Sequence, residues 1–114
     1  MMKKYLVVKE NKNNITHIKI ELYYNLGGAN YFTGTQEDRG NYLSVIPVER
    51  HSNGDYATER YVGFTGIKQN IKKVKRKSAK AETEAEKLID VYLDNLLDFV
   101  CTKNNLKLEK KNEL

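Results

Sequence analysis

Apolar and polar residues alternate over much of the first half of the chain, which is the pattern of strands in an antiparallel sheet. The alternation is clearest at 15–24, where one set of side chains is apolar and the other is mostly polar. The first set is Ile18, Ile20, Leu22 and Tyr24, and the second is His17, Lys19, Glu21 and Tyr23. We therefore predict a strand with one buried and one solvated face. Shorter runs predict further strands at 4–9, 31–35, 42–49 and 56–65.

Turn residues lie between these runs. Gly27 and Gly28 stand at the centre of a predicted turn over 25–30, because paired glycines take positive φ at no steric cost. The polar stretch 36–40 is predicted to be a loop.

The strand at 42–49 has two further signals. The Asn53-Gly54 pair follows it and predicts a hairpin at 51–55, since this pair suits the tight turns that join antiparallel strands. Pro47 lies inside the strand and cannot donate to a ladder, so we expect the strand to lie at an edge or to bulge there.

The period changes to that of a helix from Ile67 onward. Apolar or small residues recur at steps of three and four, which predicts a helix over 67–102. These residues would lie along one face of the helix. In the middle of that face they are all small: Ser78, Ala81 and Ala85. Small residues there either allow close approach of a sheet or partner helix, or mark a break between two helices. A capping-box pattern beginning at Thr83 fits the second alternative, so both stay open, with one helix favoured.

These elements predict a single α+β domain over 1–102, with a four- or five-stranded antiparallel sheet at 4–65 and a long helix packed on it at 67–102. A chain of 114 residues is of ordinary size for one domain. The polar tail 103–114 is expected to fray. The apolar end of the helix, 88–100, is large for a lone helix on a small sheet and could supply a homodimer contact.

Composition points to a cytoplasmic protein without a catalytic or metal centre. No apolar run is long enough for a membrane span or a secretory signal, and a single cysteine suits a reducing compartment. The only histidines and cysteine, His17, His51 and Cys101, fall in three separate elements, so no zinc site is expected. The glycine-containing loops do not match nucleotide-binding motifs. We therefore expect no enzyme activity, no metal and no cofactor.

The net charge of +5 is concentrated in one segment. Residues 68–80 carry seven basic and no acidic side chains, whereas 81–102 carry six acidic and one basic. In a helix starting at 67, this arrangement opposes the helix dipole, which favours anions near the N-terminus. The pattern indicates a compensating partner, either an anionic polymer or the acidic half of a second chain. A solvated surface is the alternative interpretation.

Residues 31–45, YFTGTQEDRGNYLSV, suggest a family. An aromatic strand, a polar loop ending in Arg39-Gly40 and an aromatic-aliphatic strand follow one another, and this order resembles the repeat of purine-rich-element-binding (PUR) proteins. The resemblance implies a twisted antiparallel sheet with a helix packed across it. It also implies paired repeats that bind single-stranded DNA or RNA on the sheet.

We therefore predict a non-enzymatic protein that binds single-stranded nucleic acid with little sequence preference. Basic side chains would neutralise phosphates, and Arg39 with strand aromatics would touch the bases. The predicted phosphate contacts are Lys68, Lys72, Lys73, Lys75, Arg76, Lys77 and Lys80, and the predicted aromatic contacts are Tyr31, Phe32 and Tyr42. A homodimeric assembly module, paired through the charge-divided helix, is the second hypothesis. An inhibitor that occupies another protein's nucleic-acid site is a third.

Overall fold

A long central strand organises the sheet in the computed structural model, which describes residues 3–10, 14–30, 35–54, 56–57 and 65–109. The described elements, in chain order, are β1 (Lys3–Glu10), β2 (His17–Asn30), β3 (Thr35–Arg50), β4 (Tyr56–Ala57), β5 (Ile67–Lys73), α1 (Ala79–Asn104) and β6 (Lys107–Leu108). This is an α+β fold with an antiparallel sheet and one C-terminal helix, as the sequence predicts. Within the described residues, no helix is both long enough and apolar enough to cross a membrane.

Neighbouring strands run antiparallel in the order β4-β3-β2-β1-β6, and β5 also pairs with β3. Strand β2 is hydrogen-bonded along one edge of β3. Strands β5 and β4 pair with the other edge, β5 opposite residues 40–45 and β4 opposite residues 49–50. Pro47 falls between these two pairings, where β3 has no described partner on that side. The expectation that this strand lies at an edge or bulges at Pro47 is wrong, because β3 is a central strand and Pro47 pairs regularly with Ile18 of β2.

The predicted hairpin at 51–55 is present. Arg50 pairs with Tyr56, and the Gly54 N–H donates to the His51 carbonyl at 2.9 Å. Gly54 has φ of +93°, which lies in the region that L side chains rarely adopt.

The main core lies between the sheet and α1. Ile18, Ile20 and Leu22 are at most 1% exposed, which confirms the apolar face of β2. Leu43 and Val45 join them from β3, and Ala85, Ile89, Leu96, Leu97 and Val100 close the core from the helix. Ala85 is fully buried, so the small residues at the start of the helix allow close approach to the sheet and do not mark a break.

The opposite face of the sheet is not solvated as predicted. Tyr42, Ile46 and Val48 on that face are at most 2% exposed, and Lys19 is 7% exposed. Residues 42–48 of β3 are nearly all apolar and are buried on both faces of the sheet. Alternation in β2 alone does not report what the neighbouring strand contributes.

The predicted helix start at 67 is wrong, because residues 67–73 form β5 and α1 begins at Ala79. The pairing of β5 with β3 shifts between Asn41 and Tyr42, which leaves Ile71 as an extra residue in β5. This β-bulge breaks the period of two and places apolar residues at helix-like steps. The N-cap is Ser78, and the Thr83 hydroxyl donates to the Ala79 carbonyl at 3.1 Å. Thr83 therefore does not restart a helix.

The turn predicted at 25–30 and the loop predicted at 36–40 are also wrong. Strand β2 continues to Asn30 and β3 begins at Thr35, with Ala29 opposite Gln36. The β2–β3 pairing shifts register twice in this stretch, and Gly27 and Gly28 lie within the irregular ladder. The two glycines therefore do not reverse the direction of the chain. Of the strands predicted at 31–35 and 56–65, residues 31–34 and 58–64 lie outside the described part of the chain.

The tail 103–114 was expected to fray. Residues 103–109 continue α1 to Asn104 and form β6, and residues 110–114 lie outside the described part of the chain. Asn105 ends the helix in the left-handed conformation (φ 55°), and the Leu106 N–H donates to the Cys101 carbonyl at 2.9 Å. These are the features of a Schellman-type helix end. Leu106 is buried, and β6 then pairs with β1, Leu108 opposite Val8.

Candidate nucleic-acid interface

The predicted basic segment divides among three elements. Lys68, Lys72 and Lys73 lie on β5, and Lys80 lies in the first turn of α1. The remaining three, Lys75, Arg76 and Lys77, are exposed in the connection between them. Only one of the seven cations is thus helical, and the acidic Glu82 lies in the first turn of α1. The conflict between helix dipole and charge that the sequence predicted is largely absent.

Arg39 lies next to this segment. Gly40 pairs with Lys73, and the Val74 N–H donates to the Arg39 carbonyl at 3.1 Å. The exposed guanidinium of Arg39 donates to the backbone carbonyl of Asn25 at 3.0 Å and to its Oδ1 at 3.2 Å. The fold therefore joins Arg39 to the exposed cations that follow β5. We call this surface the basic collar: Arg39, Lys73, Lys75, Arg76, Lys77 and Lys80.

A buried asparagine holds the sheet and helix together at the collar. Asn41 is 1% exposed, and its Nδ2 donates to the Ala81 carbonyl at 3.1 Å. Its Oδ1 accepts from the Asn25 N–H at 2.9 Å. Asn25 has φ of +53° and lies where the β2–β3 register shifts. One side chain therefore fixes β2, β3 and the first turn of α1 relative to one another.

Gly40 leaves room for the Asn70 side chain beside the collar. A Cβ at this position would overlap the amide group of Asn70. Oδ1 of that amide accepts the Lys72 N–H at 3.1 Å, next to the extra residue of the bulge. Any larger residue at 40 would displace the Asn70 side chain that stabilises the bulge.

Lys72 and Lys68, two of the predicted phosphate contacts, have close contacts that the structure describes. Nζ of Lys72 lies 2.8 Å from Oε2 of Glu84, and this contact lowers the pKa of the Glu84 carboxyl. Nζ of Lys68 lies 5.6 Å from the centroid of the Tyr42 ring, a cation–π distance. We therefore leave both lysines out of the collar.

The predicted aromatic contacts do not form an exposed platform in the described residues. Tyr42 is 1% exposed because it lies on the buried second face of the sheet. Its ring is therefore not available to stack on a base, which corrects the prediction. Tyr31 and Phe32 lie outside the described residues.

The two histidines and the cysteine lie on β2, in the hairpin after β3 and on α1. Burial and the nearby charge of Arg50 lower the pKa of His17, whose Nδ1 lies 2.8 Å from Oγ1 of Thr16. His51 lies 3.7 Å from a Glu49 carboxylate oxygen, and Cys101 is a half-buried thiol that forms no disulfide. Within the described residues, no three His, Cys, Asp or Glu side chains are grouped so that they could hold a metal ion.

Asn25, Asn41 and Asn70 hold the backbone around the basic collar, and the sequence interpretation missed them. A signal was available, because asparagine is depleted in strands and two of the three lie in or beside predicted strands. Which groups they contact depends on bulges that a single strand does not reveal.

Comparison of the chain with protein-family models, with curated proteins and with solved structures found no match. The resemblance of residues 31–45 to the PUR repeat therefore stays a prediction. The function has to be inferred from the basic collar and its surroundings.

Proposed function

We propose that this is a small cytoplasmic protein that binds single-stranded DNA or RNA through the basic collar, with little sequence preference. The observation that carries the proposal is the grouping of exposed cations around the end of β5. Among the described residues, Lys75, Arg76, Lys77 and Lys80 form no ion pair with a carboxylate. Such a surface favours a polyanion, because binding releases the counterions that phosphates hold.

Low sequence preference follows from the kind of contact. Lysine and arginine bound to phosphates position a nucleic acid but do not distinguish bases. Base contacts by Tyr31 and Phe32, which the PUR resemblance implies, would add affinity by stacking. They stay predictions, whereas a stacking role for Tyr42 is abandoned.

Protection of a sheet edge is a simpler explanation for part of the charge. Lysines on edge strands discourage pairing with other chains. This explanation suits Lys68, Lys72 and Lys73, which lie on β5. It does not account for Lys75, Arg76 and Lys77, because these residues follow β5 and do not belong to a strand. These three residues therefore carry the nucleic-acid proposal.

The assembly hypothesis has less support. It requires the basic and acidic segments of one helix to pair between two chains. In the structure these segments belong to different elements, and Lys72 already pairs with Glu84 within one chain.

Fluorescence anisotropy of a labelled single strand, titrated at several salt concentrations, tests the proposal. We expect the triple variant Lys75→Gln, Arg76→Gln, Lys77→Gln to bind more weakly, with the log–log salt slope reduced by about 2, since each phosphate contact contributes roughly 0.7. The matched control is Lys3→Gln, Lys4→Gln, Lys9→Gln, which removes the same charge from exposed positions on β1. Its slope should equal that of the wild type. Absence of binding at low salt, or equal losses in both variants, would refute the proposal.

A further inference from the structure

The far ends of β2 and β3 form a two-stranded ribbon. We call residues 26–30 with 35–39 the arm, in which Ala29 lies opposite Gln36 and Asn30 opposite Thr35. The pairing of β1 with β2 reaches only Glu21, opposite Lys3, and β5 pairs with β3 only as far as Gly40. Within the described residues, the outer edge of the β2 half of the arm therefore has no strand beside it.

This edge lacks the residues that usually protect an open edge. Residues 26–30 read Leu-Gly-Gly-Ala-Asn, with no charge and no proline. Strand β5 and the part of β1 that β6 does not cover differ, since β5 carries Lys68, Lys72 and Lys73 and that part of β1 carries Lys3 and Lys4. Natural sheets use lysine and proline at edges to prevent pairing with another chain. Their absence from the arm leaves that edge open to a further strand.

The base of the arm is held in a fixed orientation. The Arg39 guanidinium lies against Gly27, where a Cβ would be 3.1 Å from Nη2, and it is bonded to Asn25. Asn41 then connects Asn25 to the first turn of α1. These hydrogen bonds fix the base of the arm, so less conformational entropy is lost when the edge associates with another strand. A two-stranded ribbon alone is only marginally stable in water, so added strands would stabilise the arm itself.

We infer that the β2 edge of the arm pairs antiparallel with the same edge of a second copy of this chain. Such pairing has the twofold symmetry of an isologous dimer and joins the two arms into a four-stranded sheet. Charge selects this edge over the other one. Residues 26–30 carry no charge of their own, and the Arg39 guanidinium beside them is held at Gly27 and Asn25, whereas two β3 edges would bring Glu37 and Asp38 of both copies close to one another. The inference does not depend on the nucleic-acid proposal.

Mass in solution and thiol cross-linking test this inference together. Light scattering over a wide concentration range should show a species of twice the 13.2 kDa chain mass. Because Cys101 is the only cysteine, Cys101→Ala gives a thiol-free background. In that background, Gly28→Cys or Ala29→Cys should give covalent dimers with a bifunctional thiol reagent. Gln36→Cys is the control, since position 36 lies opposite 29 but on β3.

A charge placed on the edge gives the second test. Ala29→Lys should convert the dimer to a monomer, whereas Gln36→Lys, with the same charge on the other strand, should leave it dimeric. Circular dichroism verifies that both variants fold. A wild-type chain that is monomeric at all concentrations, or equal cross-linking from positions 29 and 36, would overturn the inference. A dimer that dissociates as salt is added would also overturn it, since that behaviour belongs to pairing between charged segments.

Discussion

Two buried asparagines connect parts of the chain that are distant in sequence. Asn41 and Asn104 are 1% and 3% exposed, and the side chain of each bonds to backbone groups of other elements. Asn104 accepts the Thr65 N–H at 2.9 Å and donates to the Thr65 and Val100 carbonyls, each at 2.8 Å. An amide is suited to this role because it carries both donors and an acceptor.

Replacing Asn104 tests this role. Asn104→Ala leaves both backbone groups of Thr65 without their partner, and we expect the free energy of unfolding to fall by about 1 to 3 kcal/mol. Urea denaturation measures it. Asn95→Ala is the control, because Asn95 is exposed on the same helix and its loss should change stability by less than about 0.5 kcal/mol. Equal effects of the two substitutions would argue against the Thr65 contact.

Tyr24 gives the protein a defined response to alkaline pH. Its hydroxyl donates to Oε1 of Glu86 at 2.6 Å. Burial, this bond and the charges of Glu86 and Glu82 raise the pKa of Tyr24 from 10.0 to about 12. Because the folded-state pKa is the higher one, the stabilisation is complete below pH 10 and is lost as the pH rises through about 12.

Absorbance titration of the phenols measures this shift. The difference between wild type and Tyr24→Phe should show one group that ionises near pH 12. Glu86→Gln should lower that pKa. Glu84→Gln, which removes the same charge from the carboxylate that pairs with Lys72, should leave it nearly unchanged.

At the scale of the elements, the position where α1 begins can be tested by mutation. The structure places the N-cap at Ser78, whereas the sequence also allowed a helix start near Thr83. The Ser78 side chain accepts the Ala81 N–H at 3.4 Å, whereas Thr83 lies inside the helix and is exposed. Ser78→Ala should therefore lower the free energy of unfolding by about 1 kcal/mol. Thr83→Ala should leave it unchanged or raise it by up to about 0.5 kcal/mol, since alanine is the better helix former. Thermal unfolding of both variants is the measurement, and a larger loss at Thr83 would contradict the assigned start.

How far the sequence predicts each element depends on how local its determinants are. The apolar face of β2 and the hairpin at 51–55 follow from neighbouring residues, and both were predicted. Strand β5 was not predicted, because the extra residue at Ile71 disguises its period. The course of β2 beyond Asn25 was missed for the same reason, since irregular pairing with β3 accommodates the glycines.

The candidate site was predicted in part. The seven cations are evident from the sequence. Only the three-dimensional structure shows that Lys72 forms an ion pair with Glu84 and that Arg39 lies beside Lys73. The burial of Tyr42 was unpredictable from β3 alone, because both faces of that strand are covered. These features depend on contacts between distant segments, which a period along one segment does not report.

For the whole molecule, the segment after α1 completes the core. Leu106 is 6% exposed and belongs to the main core, whereas its neighbour Lys107 is exposed. Leu106→Ala should lower the free energy of unfolding by about 2 to 4 kcal/mol, the ordinary cost of a cavity in a core. Glu109→Ala, at an exposed position just after β6, is the nearby control and should change it by less than about 0.5 kcal/mol. Denaturant unfolding distinguishes this result from a frayed tail, for which both changes would be small.

The pairing of β1 with β6 has a consequence for the order of folding. Val8 and Leu108 are neighbours in the sheet, although almost the whole described chain separates them in sequence. Contacts between such distant residues must await loop closure, and proteins rich in them fold slowly. Until β6 arrives, the edge of β1 near Val8 is open to other chains, so an incomplete chain is the form most exposed to aggregation. Lys9, which lies between the two residues of β1 that pair with β6, therefore protects this edge mainly while the protein folds.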